Sequence, residues 1–350
     1  MADTNSVHKK GGKITMSENK SIGVLTSGGD APGMNAALRA VVRTGIYHGN
    51  TLFGIKRGYQ GMIEGEIQQL TRSSVSNIIK YGGTVMQTAR SAEFLTKEGR
   101  EKAFKNLKRF GIDNLIVIGG DGSFRGLHEF IHEFPVQGIG VPGTIDNDLY
   151  GTDFTIGFDT AVNTGLEAID KIRDTASSHS RLFIIEVMGR TSGYIALYTG
   201  IGGGAEEILI PEAPMDIQKL CTKLDTDHKR GKQSSIIVVT EGEETGGALE
   251  IKADIEKVIN WDIKVSILGH LQRGGDPSAF DRVLASRLGY EAVLATMNNQ
   301  SDKMVGIVNK IVTLTPLEET WSKKKVLDLT YLTMNEVLAA QPAPSISLTC

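Results

Sequence analysis

Short apolar runs alternate with amphipathic stretches along the chain, and most of the runs end in glycine. Residues 22–25 are apolar and lead into Thr26-Ser27-Gly28-Gly29-Asp30. Behind that loop Met34, Leu38, Val41, Val42 and Ile46 recur at helical spacing. They predict an amphipathic helix that starts near Asp30 or Pro32 and stops at Gly49. The cycle repeats. Residues 115–118 lead into Gly119-Gly120-Asp121-Gly122-Ser123 and a second amphipathic stretch. Residues 138–141 lead into Pro142-Gly143-Thr144-Ile145-Asp146-Asn147-Asp148. Leu182–Val187 leads into Met188-Gly189-Arg190 and a helical pattern to about Gly200, and 236–239 leads into Thr240-Glu241-Gly242. Strands alternating with helices predict an α/β fold whose mostly parallel sheet is covered on both faces. Ligands of such sheets gather outside the carboxyl ends of the strands. Each of these loops lies at such an end, so loops up to two hundred residues apart can meet at one cleft.

Composition narrows the class. The 350 residues suggest about two domains. Lys and Arg total 38 against 41 Asp and Glu, a net charge of −3, which with no basic run argues against a nucleic-acid partner. No apolar stretch approaches the ~20 residues that cross a bilayer, so no membrane partner is expected. The first twenty residues carry no apolar segment of the secretory kind. Two cysteines, Cys221 and Cys350, make no disulfide framework and fit a reducing cytoplasm. The 41 glycines are about 12% of the chain against a usual ~7%, and they cluster at strand ends.

That placement suggests chemistry. Glycine lets backbone N–H groups approach an anion, and a helix start behind the loop makes a phosphate cradle. Either glycine-aspartate loop alone is equally a tight strand–helix turn, but two of them favour phosphate. Neither fits the lysine-bearing P-loop, and Gly202-Gly203-Gly204 follows no clean strand. Asp146 and Asp148 suit a proton acceptor and an oxygen ligand for Mg²⁺, with Asp121 a second metal candidate. The alternative is a solvated Asx turn. Arg90, Arg181, Arg190 and Arg273 sit among small neighbours, as anion-holding forks do, or are surface ion pairs. His270 lies three residues before Arg273.

The stretches SIGVLTSGGDAPGMNAALRAVVR, VIGGDGS, PGTIDND, GTDFTIGFDTA, SSHSR, EVMGRTSGY and LGHLQRGGDPSAFDR together resemble the 6-phosphofructokinases of the bacterial ATP-dependent type. The resemblance runs from about Ser21 to Leu288 and more weakly to Ala340. It implies two Rossmann-like domains with mostly parallel sheets and the active site in the cleft between them. The large nucleotide-binding domain would be 18–156 with 272–322, and the small sugar-phosphate domain 157–271 with 323–341. A mobile extension at 1–17 and an unstructured tail at 342–350 would lie outside both.

The implied reaction carries the terminal phosphoryl of MgATP to the 1-hydroxyl of fructose 6-phosphate, the committed step of glycolysis. Asp146 would be the base, with Gly28, Arg90, Thr144 and Arg190 around the transferring group. Gly28, Tyr59, Arg90, Ser91, Asp121, Gly122 and Ser123 would hold the nucleotide, and Asp121 and Asp148 the Mg²⁺. Thr144, Asp146, Asp148, Arg181, Met188, Gly189, Arg190, Glu241, Lys264, His270 and Arg273 would face the sugar phosphate, some from a neighbouring subunit of a homotetramer. An ADP or phosphoenolpyruvate effector would meet Arg39, Arg43, Arg72, Arg173, Glu206, Arg230 and Lys232, unless these only salt-bridge an interface. The sequence departs from the family at Lys264 for arginine, Leu95 for arginine, Asn77 for aspartate and Gln233 for lysine.

Pyrophosphate-dependent relatives carry aspartate and lysine where Gly122 and Gly143 stand. Side chains there are expected to fill nucleotide space, so the donor reads as ATP. The competing readings are a pyrophosphate-dependent enzyme, a kinase of the NAD or lipid type, and a non-catalytic nucleotide-binding subunit. The second explains only one glycine loop, and the third sits poorly with both carboxylates retained.

Overall fold

The computed structural model describes residues 19–176, 181–232, 234–242 and 246–340. The expected extension at 1–17, the tail at 342–350 and Gln233 lie outside the described residues. Eleven strands follow in chain order: β1 (Ser21–Thr26), β2 (Thr51–Ile55), β3 (Ile67–Leu70), β4 (Asn114–Gly119), β5 (Gln137–Pro142), β6 (Leu182–Val187), β7 (Glu207–Leu209), β8 (Ser235–Thr240), β9 (Ile263–Ile267), β10 (Lys303–Val308) and β11 (Ile311–Pro316). The helices are α1 (Met34–Tyr47), α2 (Gly58–Glu64), α3 (Lys97–Arg109), α4 (Asp121–Glu133), α5 (Phe158–Ala176), α6 (Tyr194–Gly202), α7 (Ile217–Lys229), α8 (Gly247–Glu256), α9 (Ala279–Met297), α10 (Glu319–Ser322) and α11 (Thr330–Ala339).

The strands form two sheets. Seven run in the order β11-β10-β5-β4-β1-β2-β3 and four in the order β7-β8-β6-β9. All pairs are parallel except β2–β3 and β10–β11, which are antiparallel at the two edges of the larger sheet. The α/β expectation holds. The antiparallel edges were not foreseen: β3 is four residues long, and the β10–β11 turn is Asn309-Lys310, both left-handed at φ 50° and 68°. That is the geometry of a two-residue hairpin, written without the glycine that usually signals it.

Alternation sorts the larger sheet's side chains to two faces. Ile22, Val24, Ile116 and Ile118 share one cluster, whereas Leu25, Leu115 and Val117 share another. The first cluster includes α1 and α9 residues and continues to Phe183, Ile185, Ile236 and Val238 of the smaller sheet. One apolar core therefore joins the two sheets. The smaller sheet's other face holds Leu182, Ile184, Ile237 and Val239 against Leu220, Leu224, Ile251 and Ile255 of α7 and α8. Each fully buried side chain of this size contributes roughly 1.5–3 kcal/mol.

Helix α1 starts later than expected. Its N-cap is Gly33 at φ 111°, with no side-chain cap, and not Asp30 or Pro32. Its far end agrees, with Gly49 left-handed just past His48.

Candidate active site

The larger sheet changes direction between β1 and β4, the switch point at which doubly wound sheets open a crevice. The Ser27 amide donates to Ile118 O at 3.0 Å and the Gly143 amide to Gly119 O at 2.9 Å, so three loops leave their strands side by side. Gly28 is left-handed at φ 83°, and a Cβ there would lie 3.2 Å from Ser123 Oγ and 3.9 Å from Gly120 N. A side chain at this left-handed position would press on the second loop, so glycine lets the two loops approach this closely.

These loops wall a cavity of about 850 Å³. Gly28, Arg90, Ser91, Asp121, Gly122 and Ser123 line one part of it, and Thr144, Asp146, Asp148, Arg190, His270 and Arg273 another. Tyr59 is on the wall too, but its hydroxyl donates to Ser123 O at 2.5 Å and its ring stacks on Phe94 at 4.1 Å. It braces the start of α4, with its hydroxyl hydrogen already committed to Ser123 O. Met188, Gly189 and Glu241 follow the ends of β6 and β8 and do not line the cavity, though the Glu241 charge is felt by Asp146. The Met188 amide donates to Gln272 Oε1 at 2.8 Å, and the Glu241 amide to Val187 O at 2.8 Å.

The aspartate loop is held from behind. Thr155 Oγ1 donates to Thr144 O at 2.6 Å, the Thr155 amide to Asn147 Oδ1 at 2.9 Å, and Ser192 Oγ to Asp146 O at 2.7 Å. Asn147 is left-handed at φ 51°, which places Asp146 and Asp148 on either side of a buried residue. Asp148 has open surface toward the cavity, yet protein surrounds both carboxylates on most sides. Burial, and then the Asp148 charge, pushes the Asp146 carboxyl up to about 7, against the pull of Arg273 and Arg190. Asp148 is raised as well, by burial first and by the nearby Asp121 charge. Carboxylates crowded in this way offer oxygen ligands that a divalent cation would relieve of repulsion.

Sequence reasoning missed three supports. Lys325 donates to Asn147 Oδ1 at 2.9 Å and to Asp153 O at 2.8 Å, and burial pushes its ammonium down to about 8. Gln272, fully buried, also donates to Ala161 O at 3.1 Å, so it fixes the loop that carries Arg273. Arg273 Nη1 in turn donates to Asp30 O at 3.1 Å. Asp281, in the first turn of α9, accepts from the start of α5. Gln272 and Asp281 lie inside a quoted motif, but only distance in space reveals their partners.

Two further expected residues lie well away from this cavity. Arg181 Nε donates to Asp262 Oδ2 at 2.8 Å and Lys264 Nζ pairs with Asp262 Oδ1 at 2.7 Å. They sit at the amino ends of β6 and β9, and six residues of strand span about 20 Å. The effector candidates fall into two groups. Arg39, Arg43 and Arg72 lie close together; burial and then its two neighbours hold the Arg39 pKa down. Elsewhere Arg173 donates to Gly203 O at 2.7 Å and Lys232 pairs with Glu206 at 3.0 Å, with Arg230 on a neighbouring cavity wall.

The two glycines that bear on the donor differ. A Cβ on Gly122 meets nothing within 4 Å, so a side chain there enters the cavity. A Cβ on Gly143 points into the core, 3.0 Å from Met34 Cε and 3.1 Å from Ile118 Cγ2. The expectation that it would fill nucleotide space is corrected: packing behind the loop opposes a side chain at 143.

A family model described as Phosphofructokinase matches residues 21–296. The ATP-dependent 6-phosphofructokinase 1 of Thermus thermophilus is 55% identical over 91% of this chain and 99% of its own length. The phosphofructokinase structure from Saccharomyces cerevisiae superposes with a TM-score of 0.81 at 38% identity over 86% of this chain, which spans 45% of that yeast chain. The pyrophosphate-dependent phosphofructokinase structure from Marinobacter aquaeolei has a TM-score of 0.79 over 91% of this chain and 88% of its own. At 24% identity it shares the fold alone. Among the described residues no helix is long and apolar enough to cross a membrane. With glycine loops, aspartate loop and arginines gathered on one cavity, and with identity at this level across nearly the whole chain, this protein belongs to the phosphofructokinase family.

Proposed function

We propose that this chain transfers the terminal phosphoryl group of ATP to the 1-hydroxyl of fructose 6-phosphate, giving fructose 1,6-bisphosphate and ADP. The observation that carries the reading is the Asp146 carboxylate on the wall of one cavity with both glycine loops, Arg190 and Arg273, where burial raises its pKa. Such a group is poised to accept a proton near neutrality. As the sugar oxygen bonds to the terminal phosphorus, its proton passes to Asp146 and the bond to the ADP oxygen breaks. Arg90, Arg190 and the amides of the Gly28 loop neutralise charge on the phosphoryl oxygens, and Thr144 supports the same group. Positioning and charge supply most of the rate in this chemistry.

Asp121 and Asp148 fit Mg²⁺, being oxygen donors whose mutual repulsion a cation removes. Bound there with the nucleotide, Mg²⁺ would screen the phosphate charge. Arg190, His270 and Arg273, with Glu241, Met188 and Gly189 behind them, hold the sugar phosphate. The division into domains 18–156 with 272–322 and 157–271 with 323–341 is supported by the separation of the strands into two sheets. The enzyme works in the cytoplasm as a homotetramer, and its two groups of basic residues come together across a subunit boundary to bind ADP or phosphoenolpyruvate.

The donor comparison tests the reading directly. With fructose 6-phosphate and Mg²⁺, ATP supports turnover and pyrophosphate does not. Gly122→Asp places a carboxylate in the open space beside Asp121 and raises KM for ATP about tenfold or more, since each 1.4 kcal/mol is tenfold. Efficient pyrophosphate turnover by the unmodified chain, or an unchanged KM for ATP in Gly122→Asp, overturns the donor assignment.

Arg181 and Lys264 serve the cleft of a neighbouring subunit, where Lys264 meets the sugar phosphate as a point charge without guanidinium's planar fork. Losing one charge-assisted bond, worth roughly 1.5–3 kcal/mol, makes Lys264→Ala raise KM for fructose 6-phosphate about ten- to a hundredfold. KM for ATP stays put. An unchanged KM for the sugar phosphate would leave Lys264 as an exposed ion pair with Asp262.

A further inference from the structure

Outside the cleft, one cluster of metal-ligating side chains stands out among the described residues. His128 and His132 lie one turn apart on α4 and face Asp302 at the start of β10. His128 Nδ1 is 2.8 Å from Asp302 Oδ1, and His132 Nε2 is 3.8 Å from Asp302 Oδ2. One ligand atom from each of the three lies within 4.8 Å of the others. Two imidazoles at i and i+4 with one carboxylate match the donor types that zinc and its first-row neighbours take.

The three side chains are held in place by their surroundings. His132 Nδ1 lies 2.8 Å from the His128 carbonyl oxygen, which makes it the donor and leaves Nε2 with its lone pair free for a metal. Asp302 is left-handed at φ 55°; its amide donates to Gly138 O at 2.9 Å, and its own carbonyl accepts from the Leu317 amide at 3.0 Å. The Trp321 ring packs edge-on against His128 at 5.6 Å. For a tetrahedral ion at ~2.0–2.2 Å from each donor, ligand atoms stand about 3.4 Å apart. The two histidine–aspartate separations, 2.8 and 3.8 Å, stand on either side of that value, and all three ligand atoms lie within 4.8 Å of one another.

We propose that His128, His132 and Asp302 form a binding site for one first-row transition-metal dication, with zinc the best match, separate from the catalytic cleft. The ion takes the place of the proton shared by His128 Nδ1 and Asp302 Oδ1, and water completes its shell. His128 stands seven residues along α4 from Asp121, about 10 Å at helical rise. The ion therefore clips the far half of that helix to the start of β10 while the first turn faces the nucleotide loops.

The test is zinc and cobalt titration of the full chain, nucleotide-free and with Mg²⁺ in excess to occupy oxygen-rich sites. The wild-type chain is expected to take up one ion more tightly than any other, with a rise in thermal midpoint and visible cobalt bands typical of a four-coordinate site. His132→Ala and Asp302→Asn each weaken that binding at least tenfold and lose the thermal shift. His48→Ala, on a histidine packed against Tyr47, leaves both intact. No uptake at submillimolar zinc overturns the proposal and leaves a plain histidine–aspartate hydrogen bond. Equal uptake by wild type, His132→Ala and Asp302→Asn overturns it too, by placing the ion elsewhere.

Discussion

Asp146→Asn is expected to lower kcat by about 10²–10⁴ while KM for ATP and for fructose 6-phosphate moves little. Asparagine keeps the shape of the loop, because the contacts that hold it run through Asp146 O, Thr144 O and Asn147 and spare the Asp146 carboxylate. What disappears is the group proposed to accept the hydroxyl proton, and that proton moves only during reaction. The loss therefore falls on kcat. A variant with near-normal kcat would falsify the base assignment.

The same residue fixes a pH profile. Its carboxyl is raised to about 7 in the free chain, chiefly by burial and the Asp148 charge. In the proposed mechanism the ionised form is the base, so kcat/KM for fructose 6-phosphate should fall as pH drops through about 7. It should approach a tenfold loss per pH unit below that. Bound cations beside Asp148 favour the ionised form, so the limb in kcat lies lower than the limb in kcat/KM. In Asp146→Asn the limb vanishes. A kcat/KM that stays flat from pH 8 to 5.5 in the wild type would point to a base other than Asp146.

What could be read in the sequence was local. Strand, glycine loop and helix start follow one another within a dozen residues, so Gly28, Gly120 and the TIDND loop carry their structural meaning in their neighbours. The carboxyl-end rule then brought them together without knowledge of the register. The misses are of another kind. Lys325 stands far along the chain from Asn147, and nothing near it marks a lysine destined for burial beside an aspartate loop. Arg181 precedes its strand and so lies at the amino end of the sheet; the sequence allowed for residues that serve a neighbouring subunit but could not tell that Arg181 is placed away from its own chain's cleft. Gly143 and Gly122 look alike in sequence. Their difference is the direction in which a Cβ would point, which the backbone decides. The hairpin at Asn309-Lys310 escaped because its left-handed turn residues are not glycine.

Asp281→Ala is expected to have the largest effect on stability. The fully buried Asp281 carboxylate accepts from the Gly157 amide at 2.8 Å, the Thr160 amide at 2.8 Å and Thr160 Oγ1 at 2.6 Å. Thr160 Oγ1 accepts in turn from the Ser278 amide at 3.0 Å, and Ser278 Oγ from the Asp281 amide at 3.2 Å. One carboxylate thus satisfies the first turn of α5 from the first turn of α9, two helices that meet at their positive ends. Alanine strands two buried backbone donors, at about 1–3 kcal/mol each, and leaves a gap in the wall between the helices. A loss of roughly 3–5 kcal/mol follows, enough to move the urea midpoint far below that of the wild type. Asp281→Asn keeps one accepting oxygen and should fall between the two. The ordering wild type, asparagine, alanine distinguishes a lost acceptor from a lost volume, because Asn and Asp fill the same space. If the asparagine variant is as unstable as alanine, charge rather than acceptor count holds the two helix ends together. If the alanine variant unfolds at the wild-type midpoint, water has replaced the carboxylate and the cap contributes nothing.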